Sequence, residues 1–368
     1  MVNTVYASAS RYTQGTGATA SLPAEMAYLG LPGPVAIVSG PTVKGLLGET
    51  WATVLGDAGV EFSCIPFAGE CSRSAIAETV AAADAAGAGV ILGAGGGKVL
   101  DTARATAATL DRPFICCPTV ASTDSPCSAL AVIYSEEGIY EGFESFGRNP
   151  DLVLVDTEVI SKGPVRYFVA GMGDALSTVF EARACRASAQ QNLRGGLATI
   201  AAVEIGEACY RTIMSDGRTA LADMKRGEVT EAFERVVEAN TLLSGIGFES
   251  AGLAAAHGLH NAMTGAEGTH SSLHGEKVAF GVMVHLALEE QPAEVVDDAR
   301  QFCLDVGLPV TLEGVGLSAD DETTLRAIAE RAVQPGGFVH NEPFSVSAES
   351  VYEAILSADR LGRAAGAS

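Results

Sequence analysis

The chain has 368 residues, 48% of them hydrophobic, and a formal net charge of −22, so it can bury more than one core and two domains are expected. A surface this acidic repels a phosphate backbone, and no basic run or basic-and-aromatic stripe offsets it, which argues against nucleic acid as a partner. No stretch approaches the roughly 18 uninterrupted apolar residues of a membrane span, and the opening MVNTVYASASRYTQG is polar, so a cytoplasmic protein without a signal peptide is expected.

From about residue 34 to 156, short apolar runs alternate with Ala-rich helical stretches. PVAIVSG, GVILGAGGG, PFICCPT and LVLVDT are near-continuous hydrophobic segments closed by Gly, Pro or polar residues, the pattern of strands buried on both faces. Two segments with helical spacing, LLGETWATVLGDAG and RSAIAETVAAADAAGA, lie between the first two runs. The alternation predicts an α/β domain with a doubly wound parallel sheet.

After Val155-Asp156 strand-like runs give way to long Ala-, Leu- and Glu-rich stretches, from GPVRYFVAGMGDALSTVFEARA through TEAFERVVEANTLLSGIG to the C-terminus. An all-helical second domain is expected, with the boundary near Ser161 to Pro164, giving domains 1–162 and 163–368. The eight cysteines (Cys64, Cys71, Cys116, Cys117, Cys127, Cys185, Cys209 and Cys303) show neither CxxC pairing nor the density of a secreted disulfide scaffold. They read as reduced thiols, mostly buried.

Between the strand-like Val90-Ile91-Leu92 and the helix-like Val99 to Arg104 lies Gly93-Ala94-Gly95-Gly96-Gly97-Lys98. Glycines at a strand-to-helix turn let backbone N–H groups approach a phosphate, and the helix N-terminus adds a favourable dipole. Neither standard phosphate fingerprint fits, because Lys98 takes the last Gly of GxGxxG and Val99 stands where a P-loop has Ser or Thr. A plain tight turn is the alternative.

Four of the six histidines, His257, His260, His270 and His274, fall in one window. His257 and His260 sit three apart, so they can share a helical face. His274 lies near the start of another helical run. Asp174, in AGMGDALSTVFEA, is the outstanding carboxylate in an apolar setting. Two imidazoles and one carboxylate make a catalytic metal site with open positions. Spacing alone leaves open the other reading, in which Asp174 is an N-cap and the histidines are satisfied core residues.

These segments resemble the glycerol dehydrogenases of the iron-containing alcohol dehydrogenase superfamily. GAGGGKVLDTAR, CPTVASTDSPCSALAVIYSEEG, NPDLVLVDT, AGMGDALSTVFEARAC, VVEANTLLSGIGFESAGLAAAHGLHN and HGEKVAFG follow that family in order and spacing across nearly the whole chain. The resemblance implies a dehydroquinate synthase-like architecture with the active site between the two domains. It implies oxidation of a small vicinal polyol, glycerol to dihydroxyacetone, with NAD as hydride acceptor. Asp174, His257 and His274 would be the zinc ligands. Gly95, Gly96, Gly97 and Lys98 would form the pyrophosphate turn, and Thr119, Ser122, Ser128, Leu130 and Tyr134 the remaining dinucleotide contacts. Asp124 in STDSP, together with His274, would touch the substrate. Iron-type relatives carry a further histidine one turn after the aspartate, where this chain has Thr178. Three protein ligands then leave room for two oxygens of a vicinal diol. The family assembles into rings, which implies a homo-oligomer, with an octamer the expected form.

One departure concerns the cofactor. The family places an acidic residue after the first strand to hold the adenosine ribose; the matching position is Gly40, followed by Pro41-Thr42-Val43-Lys44. Without that carboxylate a 2′-phosphate is not repelled, so NADP is admitted as an alternative to NAD. IYEGFESFGRNP and TGAEGTHSSLHG also depart from the family. Alternative functions are a dehydrogenase of another polyol, a dehydroquinate synthase-like cyclase, and a non-catalytic binding protein. The cyclase would need a dense basic cluster near the metal, and chiefly Lys277 and Arg183 lie near the ligand motifs. His260 is either a proton relay or a supporting core histidine.

Overall fold

The computed structural model describes residues 2–364. Its strands are β1 (Tyr12–Gly15), β2 (Val35–Ser39), β3 (Phe62–Pro66), β4 (Val90–Gly95), β5 (Phe114–Pro118), β6 (Leu130–Tyr134), β7 (Tyr140–Ser145) and β8 (Leu152–Asp156). Helices α1 (Leu22–Leu29), α2 (Pro41–Asp57), α3 (Arg73–Ala85) and α4 (Gly97–Leu110) connect them. The second half carries α5 (Thr157–Ser161), α6 (Val165–Ser188), α7 (Ile200–Arg226), α8 (Glu231–Glu238), α9 (Ser244–Ala251), α10 (Ala255–Met263), α11 (His274–Leu288), α12 (Ala293–Val306), α13 (Glu322–Ala332) and α14 (Ala348–Ala364).

Six strands form one parallel sheet in the order β1-β8-β5-β4-β2-β3. The expected doubly wound α/β half followed by a helical half is what the structure has. Central strands β2, β4 and β8 are buried along their whole length because both faces are covered. Val35 and Ile37 of β2 pack with Trp51 and Leu55 of α2, while Ala36 and Val38 join Leu100 and Ala103 of α4 on the opposite face. That second cluster continues through Met172 and Ala175 of α6 into Phe280 and Met283 of α11, so sheet and helices share one core.

The chain steps from β2 to β3 on one side, then crosses to β4 on the other. The carboxyl ends of β2 and β4 flank this topological switch, the place where open α/β sheets bind ligands.

Three features differ from the sequence expectation. A strand, β3, separates the two helical segments expected between the first two runs; FSCIP sits at the sheet edge, half-exposed and ending in Pro. Edge strand β1 precedes residue 34 and pairs with β8. β6 and β7 form an antiparallel hairpin, with β7 alternating half-buried and exposed residues. β1, β3 and β7 lack the continuous apolar run that marks a strand covered on both faces, whereas β6, LAVIY, has one but pairs with β7 outside the main sheet.

Candidate active site

Asp174 is the tenth residue of α6, fully buried in the helix interior, so it is not an N-cap. The helix runs straight through Gly171-Met172-Gly173 because two other segments press against it. A Cβ on Gly171 would meet the carbonyl oxygen of Ala121 at 2.0 Å, and one on Gly173 that of Gly275 at 2.4 Å. From the other side, a Cβ on Gly275 would meet the carbonyl oxygen of Ala170 at 1.8 Å. This backbone contact seats the first turn of α11, which begins with His274, beside the Asp174 turn of α6. His257 arrives from the first turn of α10.

The three side chains converge. His274 Nε2 lies 3.0 Å and His257 Nε2 3.4 Å from Asp174 Oδ1. Donors about 2.0–2.1 Å from a common tetrahedral ion lie roughly 3.3 Å apart, so these spacings fit a zinc-sized cation. The outer atoms are also fixed. His257 Nδ1 lies 2.6 Å from Glu181 Oε2, and Asp174 Oδ2 accepts the Asp124 backbone N–H at 3.0 Å. A carboxylate on Nδ1 holds the tautomer that leaves Nε2 free to ligate and makes it more basic.

The electrostatics match a donor cluster. Burial opposes ionisation of Asp174, but the His274 and His257 imidazoles outweigh it and hold the carboxyl well below the usual range. Burial works against a charged His257, yet Glu181 and Asp174 hold its pKa well above the ordinary value. A cation on Nε2 would compete with that proton. Burial, then the neighbouring His274 and Lys277, push His260 well below its ordinary pKa. His260 packs 4.1 Å from the His274 ring, centroid to centroid, with Nδ1 3.0 Å from Asn261 Oδ1. His270 is exposed, with Nε2 3.2 Å from the Thr264 carbonyl oxygen, and stands outside the cluster.

A cavity of about 360 Å³ connects this cluster to the Gly-rich turn. Its lining includes Gly97, Lys98, Ser122, Asp124, Ser128, Leu130, Tyr134, His257, His260 and His274. Gly96 caps α4 in an extended conformation, and nothing lies within 4 Å of the Cβ position on Gly97. The helix N-terminus is thus open to an anion. Gly95 is buried, its Cβ position 2.8 Å from the Val99 side chain, and its carbonyl accepts the Thr119 N–H. Gly95, Gly96, Thr119 and Gly40 lie at the carboxyl ends of β4, β5 and β2 and are not part of the cavity lining. Gly40 is the N-cap of α2, and a side chain there would meet only the Phe67 carbonyl oxygen, at 3.8 Å.

Asp124 is buried, and its Oδ2 has no hydrogen-bond partner. Burial, then the nearby Asp174, raise its pKa well above the usual carboxylate range. An orphaned carboxyl oxygen at the cavity wall is suited to a hydroxyl-bearing ligand.

Three supporting residues escape the sequence reading. Glu181 lies seven residues after Asp174 on α6, two turns along the same face, a spacing that could have revealed it. Glu70, from the loop after β3, lies 2.5 Å from Lys98 Nζ and carries no local signal. Asn240, on a π-helical turn between α8 and α9, donates to the carbonyls of Ala121 and Phe168. It ties the loop leading to Asp124 to the helix carrying Asp174.

The iron-containing alcohol dehydrogenase family profile matches residues 9–157. The chain is 43% identical over 353 residues to a glycerol dehydrogenase of Thermotoga maritima, covering 96% of each protein. It is 39% identical over 362 residues to a glycolaldehyde reductase of Halobacterium salinarum, covering 98% of this chain and 99% of that protein. The structure superposes on the crystal structure of a probable glycerol dehydrogenase from Sinorhizobium meliloti 1021 with a TM-score of 0.92 at 37% identity, covering 98% and 99% of the two chains. Among the described residues, no helix is long and apolar enough to cross a membrane.

Proposed function

Because the chain belongs to the iron-containing alcohol dehydrogenase family, we propose that it is a zinc-dependent polyol dehydrogenase that oxidises glycerol to dihydroxyacetone with a nicotinamide dinucleotide. The observation that carries this reading is the opening of the His257 and His274 donors, with the buried Asp174 clustered behind them, onto the same cavity as the α4 N-terminus. Hydride donor and acceptor can then meet between them.

Asp174, His257 and His274 hold the zinc, which when bound supplies Lewis acidity to an adjacent hydroxyl oxygen. Glu181 keeps His257 in the ligating tautomer. Asp124 orients a substrate hydroxyl through its unpartnered oxygen, and His274 borders the reacting carbon. Gly97 N–H and Lys98 Nζ bind the pyrophosphate, and Lys98 exchanges its Glu70 partner for phosphate oxygens. Thr119, Ser122, Ser128, Leu130 and Tyr134 position the rest of the dinucleotide, which accepts the hydride. The adenosine end passes Gly40, where no carboxylate repels a 2′-phosphate, so NADP is admitted as an acceptor beside NAD. Residues 1–162 form the dinucleotide half and residues 163–368 the metal half. Assembly as a homo-oligomeric ring, expected as an octamer, and a cytoplasmic location belong to the same proposal.

The glycolaldehyde reductase relative favours a second substrate, glycolaldehyde reduced at the same centre. Zinc-loaded enzyme incubated with glycerol, other vicinal polyols and, in the reverse direction, glycolaldehyde, with each nicotinamide, separates the two by absorbance. Chelation should abolish turnover while far-ultraviolet dichroism stays helical, because the donors sit on helices held by their own core. Full activity after metal removal would sink the zinc reading.

A further inference from the structure

Helix α11 carries a second histidine, His285, eleven residues after His274. At 1.5 Å per residue the two lie on one helical face but about 16 Å apart along the axis, too far to share an ion. His285 is fully buried and flanked by two carboxylates: Nε2 lies 3.3 Å from Glu289 Oε2 and Nδ1 3.4 Å from Glu342 Oε1. Despite these approaches, neither ring nitrogen makes a hydrogen bond, and neither does the buried Glu342 Oε2. Among the described residues no Lys or Arg lies within ion-pair distance of either carboxylate. None of the three residues lines the catalytic cavity.

We propose that His285, Glu289 and Glu342 form a second divalent-cation site, structural in role and suited to zinc. One donor atom from each of the three falls within 4.8 Å of the others, so an ion can be gathered by small side-chain shifts. One imidazole and two carboxylates are zinc-type donors, and a dication neutralises two carboxylates whose one basic neighbour among the described residues is the His285 imidazole. It would also satisfy one of the two His285 ring nitrogens left without a hydrogen bond. Glu289 is the partly exposed member of the set, with 12% of its side chain accessible, and marks the route of entry.

The site would act as a staple. Glu342 follows the short 3₁₀ turn Phe338–Asn341, and its Oε1 also accepts the N–H of Ala255, the first residue of α10. An ion on Glu342 therefore joins the far end of α11 to the start of the helix that presents His257.

Metal-stripped protein is titrated with zinc, and bound metal is counted by elemental analysis after gel filtration. Wild type should retain two ions per chain; Glu289→Gln and His285→Asn should each retain one, and so should Asp174→Asn. In the Asp174→Asn background, added zinc should still raise the melting temperature, and Asp174→Asn/Glu289→Gln should lose that rise. Wild type retaining one ion, or the Glu289 and His285 variants retaining as many as wild type, would overturn the proposal. If His285→Asn does not fold, the partly exposed Glu289→Gln decides the count. Because the Asp174→Asn arm reads the second site without the first, failure here leaves the polyol reading standing, and the reverse also holds.

Discussion

The two walls of the active-site cavity are built on different principles. On the sheet side, the Gly-rich turn presents backbone N–H groups at the end of one strand and the start of one helix, all within Gly95 to Lys98. On the helical side, the candidate metal donors are side chains from α6, α10 and α11, up to 100 residues apart in sequence. A site made of consecutive backbone tolerates side-chain change at its margins. A site made of side chains from separate helices depends on each helix being seated to within a fraction of an ångström.

That contrast predicts a ranking of effects. His274→Ala should be the most damaging, lowering kcat by a factor on the order of 10³, the scale of losing a principal electrostatic stabiliser. Steady-state kinetics with saturating zinc measures it, and a loss below about tenfold would remove His274 from the reacting centre. Gly275→Ala attacks the same side through packing alone. With the Ala170 carbonyl 1.8 Å from the new Cβ, α6 and α11 must part, at a cost of about 1–3 kcal/mol. Thermal unfolding should show a lower midpoint together with weakened zinc retention; an unchanged midpoint would mean the helices separate freely.

Glu181→Gln keeps the shape but removes the charge behind His257. Metal affinity should fall about 10–100-fold, read by competition with a chromophoric chelator, and wild-type affinity would show that Glu181 does not support the ligand. The smallest effect belongs to the sheet side. Gly40→Asp has room for its side chain and no backbone strain to overcome. It should shift the ratio of kcat/KM for NAD over NADP by about tenfold toward NAD, near 1.4 kcal/mol. If the wild type already rejects NADP by about a hundredfold and the substitution changes nothing, Gly40 is not the selector.

Local pattern alone was enough to read four of the six sheet strands. β2, β4, β5 and β8 are apolar runs closed by Gly, Pro or polar residues, because strands covered on both faces need nothing else. The Gly-rich turn and the histidine-rich window were legible for the same reason: their chemistry is written in neighbouring residues. Edge strands β1 and β3 were not, since half-exposed strands owe their conformation to the neighbour they pair with.

Asp174 shows where local reading stops. The Gly-Met-Gly before it suggests a helix start, yet α6 runs through because its glycines accept the backbones of Ala121 and Gly275. Whether Asp174 capped a helix or faced two histidines was therefore settled by helix-to-helix approach, which no periodicity records. Glu181, Glu70 and Asn240 belong to the same class, each defined by a partner brought near by folding. Composition and pattern determined the fully buried sheet strands, the helical half and the turn that suits a phosphate. The tertiary structure alone decided which carboxylate meets which imidazole, because donor spacing of about 3 Å is set by packing between segments that the sequence keeps far apart.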